Sequence, residues 1–405
     1  MPTRYGTSPW IHQFPSPKVP AFPRYRGDRT ADVVVIGGGL TGCAAAYACA
    51  SAGLITVVLE HERIGHGRSG RSAGLLSPDP GPAFRDVAAM HGLKAARRVF
   101  ETWRHGALDG AALLRRLRVS CHLDSREALV VAGGDAERIL RGEYGARHDA
   151  GLDVAWLNRP QIQARMSLDA AGGLRVRHGF ILDPYRACLG LVTAAVRRGV
   201  ACFERSPVRN VRFTRRFADV IVEHGKIRTH KVIVATGTAT SEFKSLQRHL
   251  DRHETYVALT EPMPAAMRRQ LGDRRVVLSD AHTPPHCFTW TRDERLVVTG
   301  GDQKETPIRT RRDVLVQRTG QLMYEMLKKY PAISGLRPEY GWETAYGQTA
   351  DGLMYIGAHR NYPHHLFALG GGAASVTGAF VAARILARAV QKAPDKGDEV
   401  FGWTR

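Results

Sequence analysis

The chain has 405 residues, more than one ordinary hydrophobic core holds, so two domains or one large domain with an inserted cap are expected. Its 58 Lys and Arg against 38 Asp and Glu give a formal net charge of +20, yet the basic residues are mostly Arg and interspersed with acids, without a basic block or lysine-rich tail, which argues against nucleic acid as a partner. No window stays apolar long enough to span a membrane and MPTRYGTSPW lacks the apolar core of a secretory signal, so a soluble, cytoplasmic protein is expected.

Residues 1–29 carry Trp10, Phe14, Phe22 and Tyr25 among Pro9, Pro15, Pro17, Pro20 and Pro23, the composition of an extended arm whose rings dock on the body. From Ala31 to Glu60 the chain reads as a βαβ unit. Val33 to Ile36 is continuously apolar, as in a parallel strand buried on both faces. Gly37, Gly39 and Gly42 follow as GxGxxG: the first allows a tight turn, the second a close backbone approach to a pyrophosphate, the third close packing of a helix on the strand. Leu40 and Thr41 open that helix, whose N-terminal N–H groups and dipole favour phosphate. A second strand, Thr56 to Leu59, ends in Glu60, placed to accept hydrogen bonds from ribose hydroxyls. An adenine dinucleotide is the expected ligand. The small-residue loop after it, with Arg68, Ser69, Gly70, Arg71, Ser72, Ala73 and Gly74, is suited to wrapping the pyrophosphate and approaching the rest of the dinucleotide with backbone N–H groups.

Phe84 to Arg118 has helical periodicity that Gly92, Gly106 and Gly110 are expected to interrupt. Residues 119–170 read as short strands around Ala128 to Ala132, a helix from Asp135 to Ala150, and a loop WLNRPQIQARM leading into a short helix. Asp183 and Pro184 have the pattern of an N-cap followed by Pro at the first helical position. Val208 to Lys231 alternates as a β-meander and runs into VIVATG, a second buried strand ending in Ala235, Thr236 and Gly237. Residues 252–338 supply strands such as ETYVALTEP and ERLVVTGGD and a helix from Arg311 to Tyr330, a natural substrate cap. Gly370 to Gly372 then precede a helix beginning around Ala373, Ala374, Ser375, Val376 and Thr377, a further helix N-terminus where negative charge can be stabilised. Residues from Lys392 read as frayed. Cys43, Cys49, Cys121, Cys188, Cys202 and Cys287 lack CxxC or metal-type spacing, so free core thiols and no metal site are expected.

In the order IGGGLTG, VVLE, GHGRSGRSAG, LDPYR, VIVATG, LTEP, WETAYGQTADGLMYIG and LGGGAASVTG, spanning residues 30 to 390, the chain resembles FAD-dependent amino-acid and amine oxidoreductases of the D-amino-acid oxidase, glycine oxidase and sarcosine oxidase superfamily, and within it the branch with γ-glutamylputrescine oxidoreductases. The resemblance implies an α/β fold: a Rossmann-type FAD-binding domain, glutathione-reductase-like with a β-meander, from 30–83, 171–245 and 339–391, and an α+β substrate cap with an antiparallel sheet from 84–170 and 246–338, with 392–405 a flexible tail. It also implies oxidation of a C–N bond by hydride transfer to flavin N5, giving an imine, with electrons leaving to oxygen, a quinone or another acceptor. The sarcosine oxidase pattern for covalent flavin matches at Thr344, Tyr346, Gly347, Thr349 and Asp351 but lacks its cysteine, so noncovalent FAD is expected, with His66 the alternative attachment point. Tyr346 stands near the place of the arginine that clamps substrate carboxylates in glycine and D-amino-acid oxidases. Leu296, Val297 and Val298 occupy the strand where sarcosine oxidases carry an oxygen-activating lysine; Lys304 lies just beyond. The substrate wall expected is Tyr346, Trp290, Phe288 and His286. Two other readings stand beside an amine or amino-acid oxidoreductase: a dehydrogenase subunit passing electrons to a partner, and a flavoprotein acting on RNA.

Overall fold

The computed structural model describes residues 2–372 and 375–405. Val33, Val34 and Val35 are each fully buried because the strand Arg29–Ile36 lies inside a sheet covered on both faces. That sheet is eight-stranded; its main path runs Tyr355–His359, Tyr362–Leu369, Gly225–Gly237, Arg29–Ile36, Thr56–Leu59, Ala201–Phe203. Its centre is parallel, with Val34 opposite both Val232 and Val57. Val33 and Val35 point to the side packed by the helices Leu40–Ser51, Pro184–Val196 and Ser375–Val390, while Val34 faces Val220 and Phe367 on the other. The meander is present as Val208–Phe213, Ala218–Val222 and the first half of Gly225–Gly237, paired antiparallel. Asp183 caps the helix Pro184–Val196 by accepting from Arg186 N–H at 3.0 Å.

A second, ten-stranded sheet runs Arg4–Tyr5, Pro338–Gln348, Asp251–Thr260, Leu296–Lys304, Cys287–Trp290, Val276–Asp280, Asp124–Ala132, Gly172–Ile181, Leu75–Leu76, with Val154–Asn158 beside Gly172–Ile181. Most of its pairs are antiparallel. The helix Arg311–Lys329 covers one face through Leu315, Leu322 and Met326, packed on Tyr256, Phe288, Trp290 and Val298. The opposite face carries Val257, Val297 and Trp342 and turns toward the Ser69–Ala73 loop. Gly172–Ile181 and Pro338–Gln348, grouped by sequence with the dinucleotide-binding unit, pair instead within this second sheet. Among the described residues, no helix is long and apolar enough to cross a membrane.

Three sequence expectations give way to packing. Only Gly92 breaks the long helical stretch, into Phe84–His91 and Leu93–Arg116; Gly106 and Gly110 stay inside the second helix. They are glycines because the helix Ser375–Val390 crosses there: a Cβ on Gly110 would sit 2.7 Å from the Phe380 ring, and one on Gly106 would strike Val381. The N-terminal arm is more than an extended segment. It forms a short helix, Pro9–His12, with Ser8 Oγ donating to Gly70 O at 2.5 Å and Trp10 Nε1 to Ser72 O at 2.9 Å. The C-terminal residues are pinned rather than frayed: Phe401 is fully buried, Trp403 stacks on Tyr355 with centroids 4.4 Å apart, and Arg405 Nε donates to Asp351 Oδ2 at 2.7 Å.

Candidate active site

The turn after Ile36 holds Gly37 at φ +106°, in the region that favours glycine, with its N–H on Leu59 O at 2.9 Å. A Cβ on Gly39 would lie 2.9 Å from Ser69 Oγ, and one on Gly42 would collide with the Gly37 carbonyl. Gly42 therefore acts by letting the helix Leu40–Ser51 sit on the turn. Gly39 is that helix's N-cap without a side-chain cap, and Leu40 N–H donates to Ser69 Oγ at 2.8 Å. The first turn of the helix thereby meets the cleft between the glycine turn and the Ser69 loop, the arrangement that binds phosphate.

Glu60 is buried at the end of its strand, and its carboxylate accepts from Gly38 N–H at 2.6 Å, Glu62 N–H at 2.8 Å and His61 Nδ1 at 2.8 Å. Burial works to raise this carboxyl; the hydrogen bonds from His61, Glu62 and Gly38 outweigh it and hold it below the usual carboxylate range.

Gly37, Gly39, Leu40, Thr41, Glu60, Arg68, Ser69, Val208, Ala235, Thr236, Gly237, Gly371, Ser375 and Val376 line a single cleft of about 620 Å³. The cleft shares Arg68, Ser375 and Val376 with a smaller chamber of about 80 Å³, whose walls include Ser72, Ala73, Thr255, Cys287, Thr299, Asp302 and Thr344. Arg68 sits at the junction. Its guanidinium donates to the Gly372 carbonyl and lies 5.4 Å from the Tyr346 ring centroid. Burial pulls its pKa down to about 10, against the opposing pull of Tyr346 and Asp302, so it remains a cation at neutral pH. Tyr346 OH donates to Asp302 Oδ2 at 2.5 Å. Burial first, and then the Asp302 charge, raise the phenol's pKa and keep it protonated.

Several expected site residues have other work. Phe288 and Trp290 point into the core beneath the helix Arg311–Lys329; strand alternation gives the chamber their neighbour Cys287 instead. His286 is held outside the chamber by Asp280, with Nδ1 on Oδ2 at 2.9 Å, while the same oxygen takes His282 Nδ1 at 3.1 Å. That bond raises the His286 pKa against the effect of burial. Arg71 turns away toward Glu343, with Nη1 to Oε1 at 3.7 Å, and lends its carbonyl to Trp342 Nε1 at 2.7 Å. Gly70 and Gly74 are spaces for neighbouring backbone, against Gly65 O and Leu182 O, rather than lining. Thr377 is fully buried and donates to Ser77 O at 2.7 Å. Ala373 and Ala374 lie outside the described residues. His66 does not line the cleft; its Nε2 is 3.3 Å from Tyr185 OH.

Asp302, Thr255 and Thr299 in the chamber, and Thr238, Thr240, Arg252 and Met354 in the cleft, were not singled out from sequence, and Thr344 was named only within the covalent-flavin pattern. Period-two alternation gave a signal for Thr344, which shares a strand face with Trp342 and Tyr346. Nor was the chamber's cation on the Leu296–Val298 strand where a lysine was sought: Arg68 reaches in from the loop, the one basic residue among the described residues that line it.

Over residues 32–389 the chain matches the family described as "DAO: FAD dependent oxidoreductase", and it belongs to that family. It is an enzyme, an oxidoreductase whose cofactor is FAD. Among its relatives, the probable oxidoreductase OrdL of Haemophilus influenzae is 25% identical over 91% of this chain and 85% of that protein. The γ-glutamylputrescine oxidoreductase of Escherichia coli is 27% identical over 77% of this chain and 73% of its own length. In fold it resembles the glycine oxidase of Geobacillus kaustophilus, with a TM-score of 0.76 and 17% identity over 93% of this chain and 99% of that one. The cleft suits FAD by its own chemistry: a glycine turn that side chains would fill, an uncapped helix N-terminus, and a buried ionised carboxylate beside it.

Proposed function

We propose that the chain oxidises the C–N bond of a small amine or amino acid to an imine, with FAD held noncovalently in the cleft and the substrate in the chamber. The observation that carries this is the shared wall: Arg68, Ser375 and Val376 belong to both cavities, so a ligand filling the cleft is met by a small molecule at one defined place. When bound, the flavin supplies a two-electron acceptor for a hydride from the carbon beside nitrogen. The protein's part is positional and electrostatic. The helix N-terminus at Gly39 and Leu40 and the Ser69 hydroxyl would hold the pyrophosphate, and Glu60 the ribose. The Arg68 guanidinium and the N-terminus of the helix Ser375–Val390 would place positive potential where negative charge collects. The hydroxyls of Thr255, Thr299 and Thr344 would orient the substrate, and the chamber's small volume would keep water out. Names of relatives support the substrate class, since γ-glutamylputrescine and glycine both carry an oxidisable nitrogen.

Anaerobic mixing of the holoenzyme with a panel of amines, amino acids and 2-hydroxy acids tests the reading. At least one compound carrying an oxidisable nitrogen should bleach the flavin absorbance; bleaching by hydroxy acids alone overturns it. Acid precipitation checks the mode of attachment. The supernatant should be yellow and the pellet colourless.

A further inference from the structure

The chamber holds two opposite charges, Arg68 and Asp302. Arg68 already donates to the Gly372 carbonyl and lies against the face of Tyr346. Asp302 receives the Tyr346 hydroxyl on Oδ2 alone, and among the described residues its Oδ1 takes no hydrogen bond. Thr344 supplies a second, independent sign of a missing partner. It is 5% exposed, lines the same chamber, and its Oγ1 is buried without any hydrogen bond among the described residues. A buried hydroxyl left unpaired is costly, of order 1–3 kcal/mol. A carboxylate oxygen and a hydroxyl offered together match a group with several N–H donors and a positive charge.

From this the geometry points to Asp302 as the residue that receives the substrate's protonated nitrogen, with Thr344 as a second acceptor and Tyr346 holding the carboxylate in place, so that the chamber selects ammonium compounds over neutral or anionic molecules of the same shape. The inference rests on the reading above, a C–N bond as the one oxidised, and adds the group that recognises it. Asp302 is the substrate contact, and it takes up the ammonium proton before hydride leaves the neighbouring carbon, because the imine forms with the nitrogen lone pair. Tyr346 is a positioning residue: its ring is stacked on His253 with centroids 5.9 Å apart, and its hydroxyl fixes one oxygen of Asp302 and leaves the other without a partner among the described residues.

The test separates recognition from turnover. tert-Butylammonium has no hydrogen on the carbon beside nitrogen, so it binds without being oxidised; pivalate and tert-butanol are its anionic and neutral counterparts. Each is titrated into the FAD-loaded enzyme and followed by the perturbation of the flavin spectrum. The wild type should bind tert-butylammonium at least about tenfold more tightly than either counterpart, within the range of a charge-assisted hydrogen bond. Asp302→Asn should remove most of that preference, Asp302→Glu should restore part of it, and Tyr346→Phe should weaken binding less than Asp302→Asn does. With whichever amine bleaches the flavin, Asp302→Asn should raise KM about tenfold or more, with a loss in kcat that shrinks as pH rises and the amine enters already neutral. Equal binding of the three probes by wild type, or an unchanged KM in an Asp302→Asn enzyme that retains its FAD, overturns the inference. If no nitrogen compound bleaches the flavin while tert-butylammonium still binds through Asp302, the assigned reaction falls and the cation site stands.

Discussion

Glu60 shows how a residue legible in the sequence carries a role beyond the one its motif names. Its position at the end of the second strand marks it for a ribose, and the structure also gives its carboxylate the N–H groups of Gly38 and Glu62. Glu60→Ala removes both functions, so it should weaken FAD retention and also loosen the empty turn. Denaturant unfolding of the apoprotein should show a loss of about 1–3 kcal/mol; an unchanged apoprotein with weakened FAD binding would restrict Glu60 to the ribose. His365 is the opposite case, a residue with no motif around it. It is 1% exposed, stacked on Phe367 at 5.9 Å, and neither ring nitrogen has a partner among the described residues. Burial lowers its pKa from 6.5 to about 4. The native state thus keeps the ring neutral while the unfolded chain takes up a proton first, so stability from this residue is full above pH 6.5 and is lost as pH falls toward 4. The span corresponds to roughly 3 kcal/mol. His365→Phe should be relatively more stable at pH 4.5 than at pH 7, and equal differences at the two pH values would show that His365 does not titrate in this window.

At the scale of elements, spacing along the chain identified most helices and strands, but not which neighbour each would meet. Gly106, Gly110 and Gly145 all sit inside helices and look alike in sequence. At Gly110 a Cβ would lie 2.7 Å from Phe380, whereas at Gly145 nothing lies within 4 Å. The two should respond with opposite signs. Gly110→Val overpacks a helix crossing and should cost about 1–3 kcal/mol, while Gly145→Ala should stabilise by about 0.5–1 kcal/mol through helix propensity alone. Thermal unfolding of the two variants checks this, and equal shifts would mean that the crossing yields freely. The strand Cys287–Trp290 makes the same point about phase. An aromatic strand was recognisable, but its alternation gives no sign of which face meets the helix Arg311–Lys329 and which meets the chamber; packing chose the core for Phe288 and Trp290.

Across the whole molecule, Asp351 joins segments far apart in the chain. It accepts from His91 Nε2 at 3.0 Å, from Thr349 Oγ1 at 3.1 Å and from Arg405 Nε at 2.7 Å. Arg405 also donates to Leu353 O at 2.6 Å, one residue before Met354, which lines the cleft. The Arg405 side chain is 5% exposed and that of Asp351 11%. Arg405→Ala leaves a buried carboxylate short of its cation and should cost about 2–3 kcal/mol, with weaker FAD retention because the cleft wall is tied to the same carboxylate. Thermal unfolding at fixed excess FAD reads the first effect and FAD dissociation on dilution the second. A wild-type melting temperature in the variant would return the C-terminal residues to the frayed state their composition implied.

The sequence by itself determined the parts whose physics is local. The βαβ fingerprint, the meander, the Asp183 cap and the glycines of the turn are set by contacts between residues near one another in the chain, and they were enough to indicate a dinucleotide cleft and the fold around it. Only the tertiary structure decided the chamber. Its walls come from Arg68 on a loop, Thr255, Cys287, Asp302 and Thr344 on four strands, and Ser375 at a helix start. No spacing rule relates these positions, because each belongs to a separate element and their meeting depends on how one sheet is laid against the helices of the other. The same reason hid the partner of Asp302 and the anchor of Arg405: a hydroxyl and a carboxylate acquire their roles from what long-range packing brings beside them.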